Sequence, residues 1–154
     1  MHPRAAELIE KLRLELHPEG GYYREVFRSS DTVDPADRRG VRSALTTIFF
    51  LLTDDTYSRW HRVRSDEVWH LYEGGPLEVM ELDAECREVA TYEVAPVHVV
   101  PAGRWQAARS VGPYTLVGCT VGPGFEFADF ELLADHLGTA ALGRDWHPAV
   151  RTYW

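Results

Sequence analysis

The chain has 154 residues, 45% of them hydrophobic and 26% charged, the make-up of one ordinary globular domain with a single core. Its formal net charge of -8 argues against non-specific binding to nucleic acid or to anionic membranes. A small-molecule partner stays open, because one pocket can oppose the charge of the whole.

No apolar run approaches the roughly 20 residues that span a bilayer, and no apolar segment with a cleavage site stands at the start. The expectation is a cytoplasmic protein without membrane contact. Cys86 and Cys119 lie far apart and form no C-x-x-C pair, so both read as free thiols.

In chain order, Leu8, Ile9, Leu12 and Leu16 fall on one helical stripe, with Glu7, Glu10, Lys11 and Arg13 on the rest. The pattern predicts an amphipathic helix over about residues 4–16, begun near Pro3 and packed outside the domain. From about residue 20 the period changes. "GGYYREVFRSS" alternates as a strand does, "SDTVDPADRRG" is a polar loop, and "SALTTIFFLLT" is a buried-strand run. Then "YSRWHRVR", "EVWHLYEG", "PLEVMELD", "REVATYEV", "HVVPAG", "RWQAARS" and "YTLVGCTV" follow, punctuated by Asp, Gly or Pro. Many short strands at such spacing predict an all-β, antiparallel barrel or sandwich. The barrel extends to about residue 133. "ADFELLADHLG" reads as a strand entering a short helix, and residues 134–154 form a tail whose Trp146, Tyr153 and Trp154 need cover from this domain or a second subunit. No linker or repeat stands out, so residues 1–154 are taken as one domain.

The chemistry concentrates in "SRWHRVRSDEVWHLYEGG" (Ser58 to Gly75). Taken as two neighbouring strands joined near Arg64 to Asp66, period two puts His61 and Val63 on one face, and Glu67, Trp69 and Leu71 on the matching face. His70 falls on the other side. Gln106, on a later strand, can reach the same interior. His61 beside Glu67 is an imidazole–carboxylate pair, in which the carboxylate raises the imidazole pKa and fixes its tautomer. With a proton donor opposite, such a pair can abstract a proton next to a carbonyl. Tyr22, Tyr23, Tyr57, Tyr72 and Tyr114 are candidate donors; Arg24, Arg59, Arg62, Arg64 and Arg104 are candidate anion binders. Trp69 suggests an aromatic pocket wall. "GPGFEFADFE" reads either as a lid over the barrel mouth or as a packed connector. Cys119, in an apolar strand, reads as a buried inert thiol.

These residues resemble the double signature of the cupin superfamily, G-x5-H-x-H-x3-4-E-x6-G followed by P-x-G-x2-H-x3-N. His61, Glu67 and Gly74 hold the first spacing, and Pro101 and Gly103 the second; Val63 and Gln106 stand where two histidine ligands belong. With "HPEGGYYREVFRS", "WHRVRSDEVWHLYEGGPLEV", "VPAGRWQAA" and "VGCTVGPGFEFADFEL", the chain from about Leu8 to Leu133 resembles the cupin-5 branch of small single-domain cupins. The resemblance implies an antiparallel double-stranded β-helix, the jelly-roll barrel, with an interior pocket and a homodimer. It implies a metal set of His61, Glu67 and Gln106, weakened by Val63, so that the cofactor is none or a weakly bound divalent metal. The catalytic pair is then His61 and Glu67, with Gln106 and Trp69 binding the ligand. The expected function is binding of a small sugar-like or carbonyl-containing molecule, with isomerase or epimerase chemistry. A non-catalytic ligand-binding or sensing cupin, or a metal-dependent enzyme such as a dioxygenase, stands as the alternative.

Overall fold

The computed structural model describes residues 1–83, 87–137 and 147–154. A first helix, α1 (Pro3–Leu12), leads into β1 (Glu15–Leu16), β2 (Tyr22–Arg28), β3 (Thr32–Val33), β4 (Arg42–Ser43) and β5 (Thr46–Thr53). Next come β6 (Tyr57–Val63), β7 (Asp66–Gly74), β8 (Leu77–Leu82), β9 (Val89–Glu93) and β10 (Val97–Val100). The order closes with β11 (Trp105–Ser110), β12 (Tyr114–Gly122), β13 (Phe130–Leu132) and two short helices, α2 (Leu133–Leu137) and α3 (Pro148–Thr152). A six-stranded antiparallel sheet, β1-β2-β5-β12-β7-β10, faces a five-stranded one, β13-β6-β11-β8-β9, while β3 and β4 pair beside them. This is the all-β jelly roll the sequence predicts.

One expectation fails in an instructive way. β6 and β7 are consecutive but do not pair: β6 lies between β11 and β13, and β7 between β12 and β10. The two residues between them, Arg64 and Ser65, carry the chain across from one sheet to the other. The inner faces still meet, because a chain crossing between facing sheets keeps its inward set pointing at the shared interior.

α1 begins at Pro3, whose fixed φ suits the first helical position, with the His2 side chain accepting from the Arg4 N–H at 3.2 Å. It stops four residues short of the sequence expectation. Arg13 takes φ 54°, its N–H bonds to the Glu10 carbonyl at 3.1 Å, and the Leu14 N–H bonds to Ile9 at 2.9 Å. That is a Schellman closure with its usual contact, Leu14 packing with Ile9. Leu16 therefore leaves the stripe and lies in β1, 73% exposed. The apolar face of α1, with Ala5 and Leu8, covers Leu51 and Leu116 on the outside of the six-stranded sheet.

The outer face of the five-stranded sheet is covered by Leu133 at the start of α2 and by α3 with the residues after it. Leu133, Val150 and Tyr153 pack on Trp60, Met80, Leu82 and Trp105, and the Trp60 indole donates to the Ala149 carbonyl at 3.0 Å. Tyr153 and Trp154 thus find cover within this domain; Trp146 and Cys86 lie outside the described residues. Among the described residues no helix is long and apolar enough to cross a membrane. Between the sheets, Phe50, Leu52, Trp69, Leu77, Val79, Val100 and Val117 fill part of the interior. The remainder is open.

Candidate functional site

The unfilled part of the barrel is a cavity of about 130 Å³. Strand alternation supplies most of its wall: Thr46, Ile48 and Phe50 from β5, Cys119 and Val121 from β12, Glu67 from β7, His61 and Val63 from β6. Two irregularities supply the rest. The β2–β5 register shifts between Glu25 and Phe27. The extra residue flips the parity, so Phe27 is half-exposed while Tyr23, Glu25 and Arg28 line the cavity. On β6, Gln106 pairs with His61 but Ala108 with Ser58, so one residue bulges and Ser58 turns inward together with His61.

The cavity's last wall comes from the turn before β2, "HPEGG". His17 and Glu19 line the cavity from there, and sequence reasoning did not single them out. Gly20 and Gly21 have φ of 109° and 71°, and a Cβ on Gly20 would run into the Tyr57 carbonyl. Only glycine lets the turn press this closely on β6. The Glu19 carbonyl accepts from the Arg59 N–H at 2.8 Å, which pins the residue beside the barrel interior. A signal was present in the sequence: two glycines straight after a titratable pair mark a backbone forced close to something.

His61 is 2% exposed. Its Nδ1 lies 2.8 Å from the Arg59 carbonyl, which can only accept, so Nδ1 carries the proton. Nε2 is then left with a lone pair, 3.4 Å from Glu19 Oε2. The Ser58 hydroxyl donates to the other Glu19 oxygen, Oε1, at 2.8 Å. His17 Nδ1 accepts from the Glu19 N–H at 3.2 Å and lies 3.5 Å from Oε2. Burial pushes the Glu19 carboxyl up to about 8, against the downward pull of Ser58 and Arg59. Burial, with the His61 charge, holds His17 down at about 3. It lowers His61 too, opposed by the charge of Glu67 and the Arg59 carbonyl.

The sequence pairs His61 with Glu67, but the carboxyl within ion-pair distance is that of Glu19. Glu67 is held from behind. Gln106 Nε2 donates to its Oε2 at 2.5 Å, and the Cys119 thiol donates to it as well. Burial raises Glu67, and burial holds Cys119 in its thiol form. Gln106 in turn accepts from the Trp69 indole N–H at 3.0 Å. An indole N–H only donates, so the Gln106 oxygen must face Trp69 and its NH₂ must face Glu67. Gln106 and Trp69 are 1% exposed each and form a layer behind Glu67, not the cavity wall.

That orientation bears on the metal set named from the sequence. Gln106 turns N–H groups, not an oxygen, toward Glu67, and Val63 lines the cavity with no donor atom. His61, Glu67 and Gln106 therefore do not fit as the ligands of a divalent ion. Among the described residues no group of three or more His, Cys, Asp or Glu side chains is arranged to hold one.

Toward solvent the wall becomes aromatic and charged. Phe125 and Phe127 of the "GPGFEF" segment line the opening, their rings 5.1 Å apart and edge-on. Arg28 ties this segment to β2: it bonds Glu25 at 2.8 Å, Glu126 at 2.8 Å and the Phe125 carbonyl at 3.0 Å. Of the candidate tyrosines, Tyr23 alone lines the cavity, and among the described residues its hydroxyl has no hydrogen-bond partner. The five arginines considered as anion binders are engaged elsewhere. Arg24 bonds the Leu12 carbonyl, Arg59 that of Pro18, Arg62 Glu131, while Arg64 pairs with Asp37 and Arg104 with Glu81.

Residues 6–133 match the family model described as "Cupin superfamily (DUF985)". A hypothetical protein from Leishmania major is 30% identical, covering 97% of each chain with a TM-score of 0.83. A protein from Shewanella oneidensis is 31% identical over 97% of this chain and 96% of its own, with a TM-score of 0.82. Oxalate decarboxylase from Bacillus subtilis is similar at the level of the fold, 19% identical over 79% of this chain and 30% of its own, TM-score 0.60. Among curated proteins none matches the chain.

Proposed function

Because the chain belongs to the cupin superfamily, and a fold does not dictate one chemistry, we propose from the pocket's own residues that it binds a small carbonyl-containing molecule in the barrel interior and moves a proton beside the carbonyl, as an isomerase or epimerase does. The observation that carries this reading is the His61 ring. Its Nδ1–H is committed to Arg59, so its basic Nε2 faces the cavity group Glu19 with a lone pair available for a proton. Glu67 supplies charge that favours the imidazolium formed when His61 takes a proton.

Charge and size narrow the ligand. Glu25, Glu67 and Glu126 share the lining with Arg28, whose guanidinium two of them already occupy. A diphosphate would meet carboxylates there, so the occupant is a neutral molecule. A cavity of about 130 Å³ suits a single small ring or a short chain rather than a nucleotide. The test is proton exchange in D₂O by NMR with neutral carbonyl sugars, dihydroxyacetone and xylulose first. Loss of the C–H signal next to the carbonyl, abolished in His61→Ala, supports the reading; equal rates with and without protein end it.

The aromatic and aliphatic wall of Phe50, Ile48, Val121, Phe125 and Phe127 favours a second reading, a ligand held without turnover. Saturable binding with no exchange is its signature. In either case we propose a homodimer formed through the outer face at β7 and β10, where Tyr72, Val97 and Val99 are half-exposed.

A further inference from the structure

Resting on the proton-transfer reading, we propose that Glu19 is the acid of this pocket: it holds a proton on Oε2 and gives it to the carbonyl oxygen as His61 takes the neighbouring C–H proton. Donors and acceptors around Glu19 do not match unless it carries a proton. The Arg59 carbonyl claims the His61 Nδ1–H, leaving Nε2 an acceptor, and the Glu19 N–H claims the His17 Nδ1 lone pair, which makes that atom an acceptor too. Both nitrogens lie beside the same oxygen, Glu19 Oε2, at 3.4 and 3.5 Å. Two lone pairs and a bare carboxylate oxygen, buried where little water reaches them, repel one another, and one proton on Oε2 relieves the conflict. Oε1 is the wrong place for that proton, because it already accepts from Ser58.

Glu67 has the opposite surroundings. Gln106 and Cys119 both donate to it, and two donors suit an ionised carboxylate. The cavity thus holds two carboxyls sorted by their neighbours, one kept as acid and one supplied with donors.

The step balances. The substrate C–H bond breaks and its proton goes to His61 Nε2, while the electron pair becomes the C=C bond of an enol. The carbonyl π pair takes the Oε2 proton, forming the enol O–H. Glu19 is left as carboxylate and His61 as imidazolium, side by side. Neutral partners at rest become an ion pair in the intermediate, where burial strengthens their attraction. Return of the protons to the other face or the neighbouring carbon gives the isomer.

Infrared spectroscopy of ¹³C-glutamate-labelled protein at neutral pH tests the acid directly. The expected result is a protonated-carboxyl stretch that Glu19→Gln removes and Glu67→Gln leaves. A band that survives Glu19→Gln, or none in the unsubstituted protein, overturns the assignment. Thermal melting confirms that the variant is folded; Gln offers two N–H groups to the two imidazoles and an oxygen to Ser58, so its fold is retained. In the D₂O exchange assay with dihydroxyacetone and xylulose, Glu19→Gln should retain binding and lose exchange by about 100-fold or more. The rate should also fall as pH rises through the Glu19 titration, which burial raises against the pull of Ser58 and Arg59; the other titratable groups facing the same space are His17 on its own turn, His61 on β6, Glu67 on β7 and Cys119 on β12. Unchanged exchange in Glu19→Gln overturns its catalytic use. No exchange in the unsubstituted protein overturns the catalytic use of Glu19 together with the reaction, and the infrared band then decides only whether Glu19 holds the proton.

Discussion

Replacing Glu19 by glutamine should change how stability depends on pH, in a direction opposite to the usual behaviour of a paired carboxylate. The ordinary glutamate value is 4.5, and burial raises Glu19 to about 8. Between those values the unfolded chain has released a proton that the folded chain keeps, so the folded state binds more protons and stability falls as pH rises. Below 4.5 both states are protonated and nothing is lost. Each pH step within the window costs about 1.4 kcal/mol, so about 5 kcal/mol is at stake by pH 8. Glutamine is neutral throughout and escapes this cost. The Glu19→Gln protein should therefore match the natural one near pH 4.5 and become progressively more stable than it up to pH 8. His17 pulls the other way: lowered from 6.5 to about 3, it weakens the fold as pH falls through that range. The two slopes cancel between 4.5 and 6.5, so in the natural protein the net loss from these two groups falls between 6.5 and 8. Urea unfolding at pH 5, 6, 7 and 8, read by tryptophan fluorescence, measures the difference. Parallel curves for the two proteins would refute the buried-acid account.

His61→Ala should abolish exchange or ligand binding and lower stability by about 1–2 kcal/mol, since the buried Arg59 carbonyl loses its donor; activity assay and urea titration separate the two effects. Gly20→Ala should destabilise by about 1–3 kcal/mol, because its φ of 109° and the Tyr57 carbonyl both exclude a Cβ. By shifting Glu19 it should also flatten the alkaline limb, which the same titration detects. Val63→His adds an imidazole to the cavity wall on the strand of His61, and elemental analysis after dialysis against zinc should find more metal than in the natural protein. Light scattering across micromolar concentrations should give the mass of a dimer; a monomer throughout would count against pairing through β7 and β10.

Strand alternation was enough to place His61, Val63 and Glu67 on the shared interior, because period two survives whether or not β6 and β7 pair. What alternation does not contain is the partner of a strand. A two-residue connection looks the same as a hairpin turn or as a crossing between sheets, and here it is the crossing. The end of α1 was hidden because Arg13, not glycine, takes the left-handed position. Arg28 was hidden by the β2 bulge, which reverses the parity of everything after it. Glu19 lies in a turn, where neither period applies, and its position follows from how closely two glycines let the backbone approach β6. The direction of the Gln106 amide is beyond any pattern, since a glutamine can point either way until a donor-only neighbour decides it.

That decision by Trp69 gives the protein a built-in reporter. The indole N–H is joined to the cavity through one amide and one carboxylate, yet it is shielded from solvent and from direct contact with an occupant. Whatever alters the charge or position of Glu67 must pull on the Gln106 amide and so lengthen or shorten the indole bond. The chain has five tryptophans, and Trp69→Phe identifies the resonance that belongs to this one. Its indole ¹H–¹⁵N signal can then be followed while colourless compounds are added one by one, and a shift registers occupancy before any reaction is known.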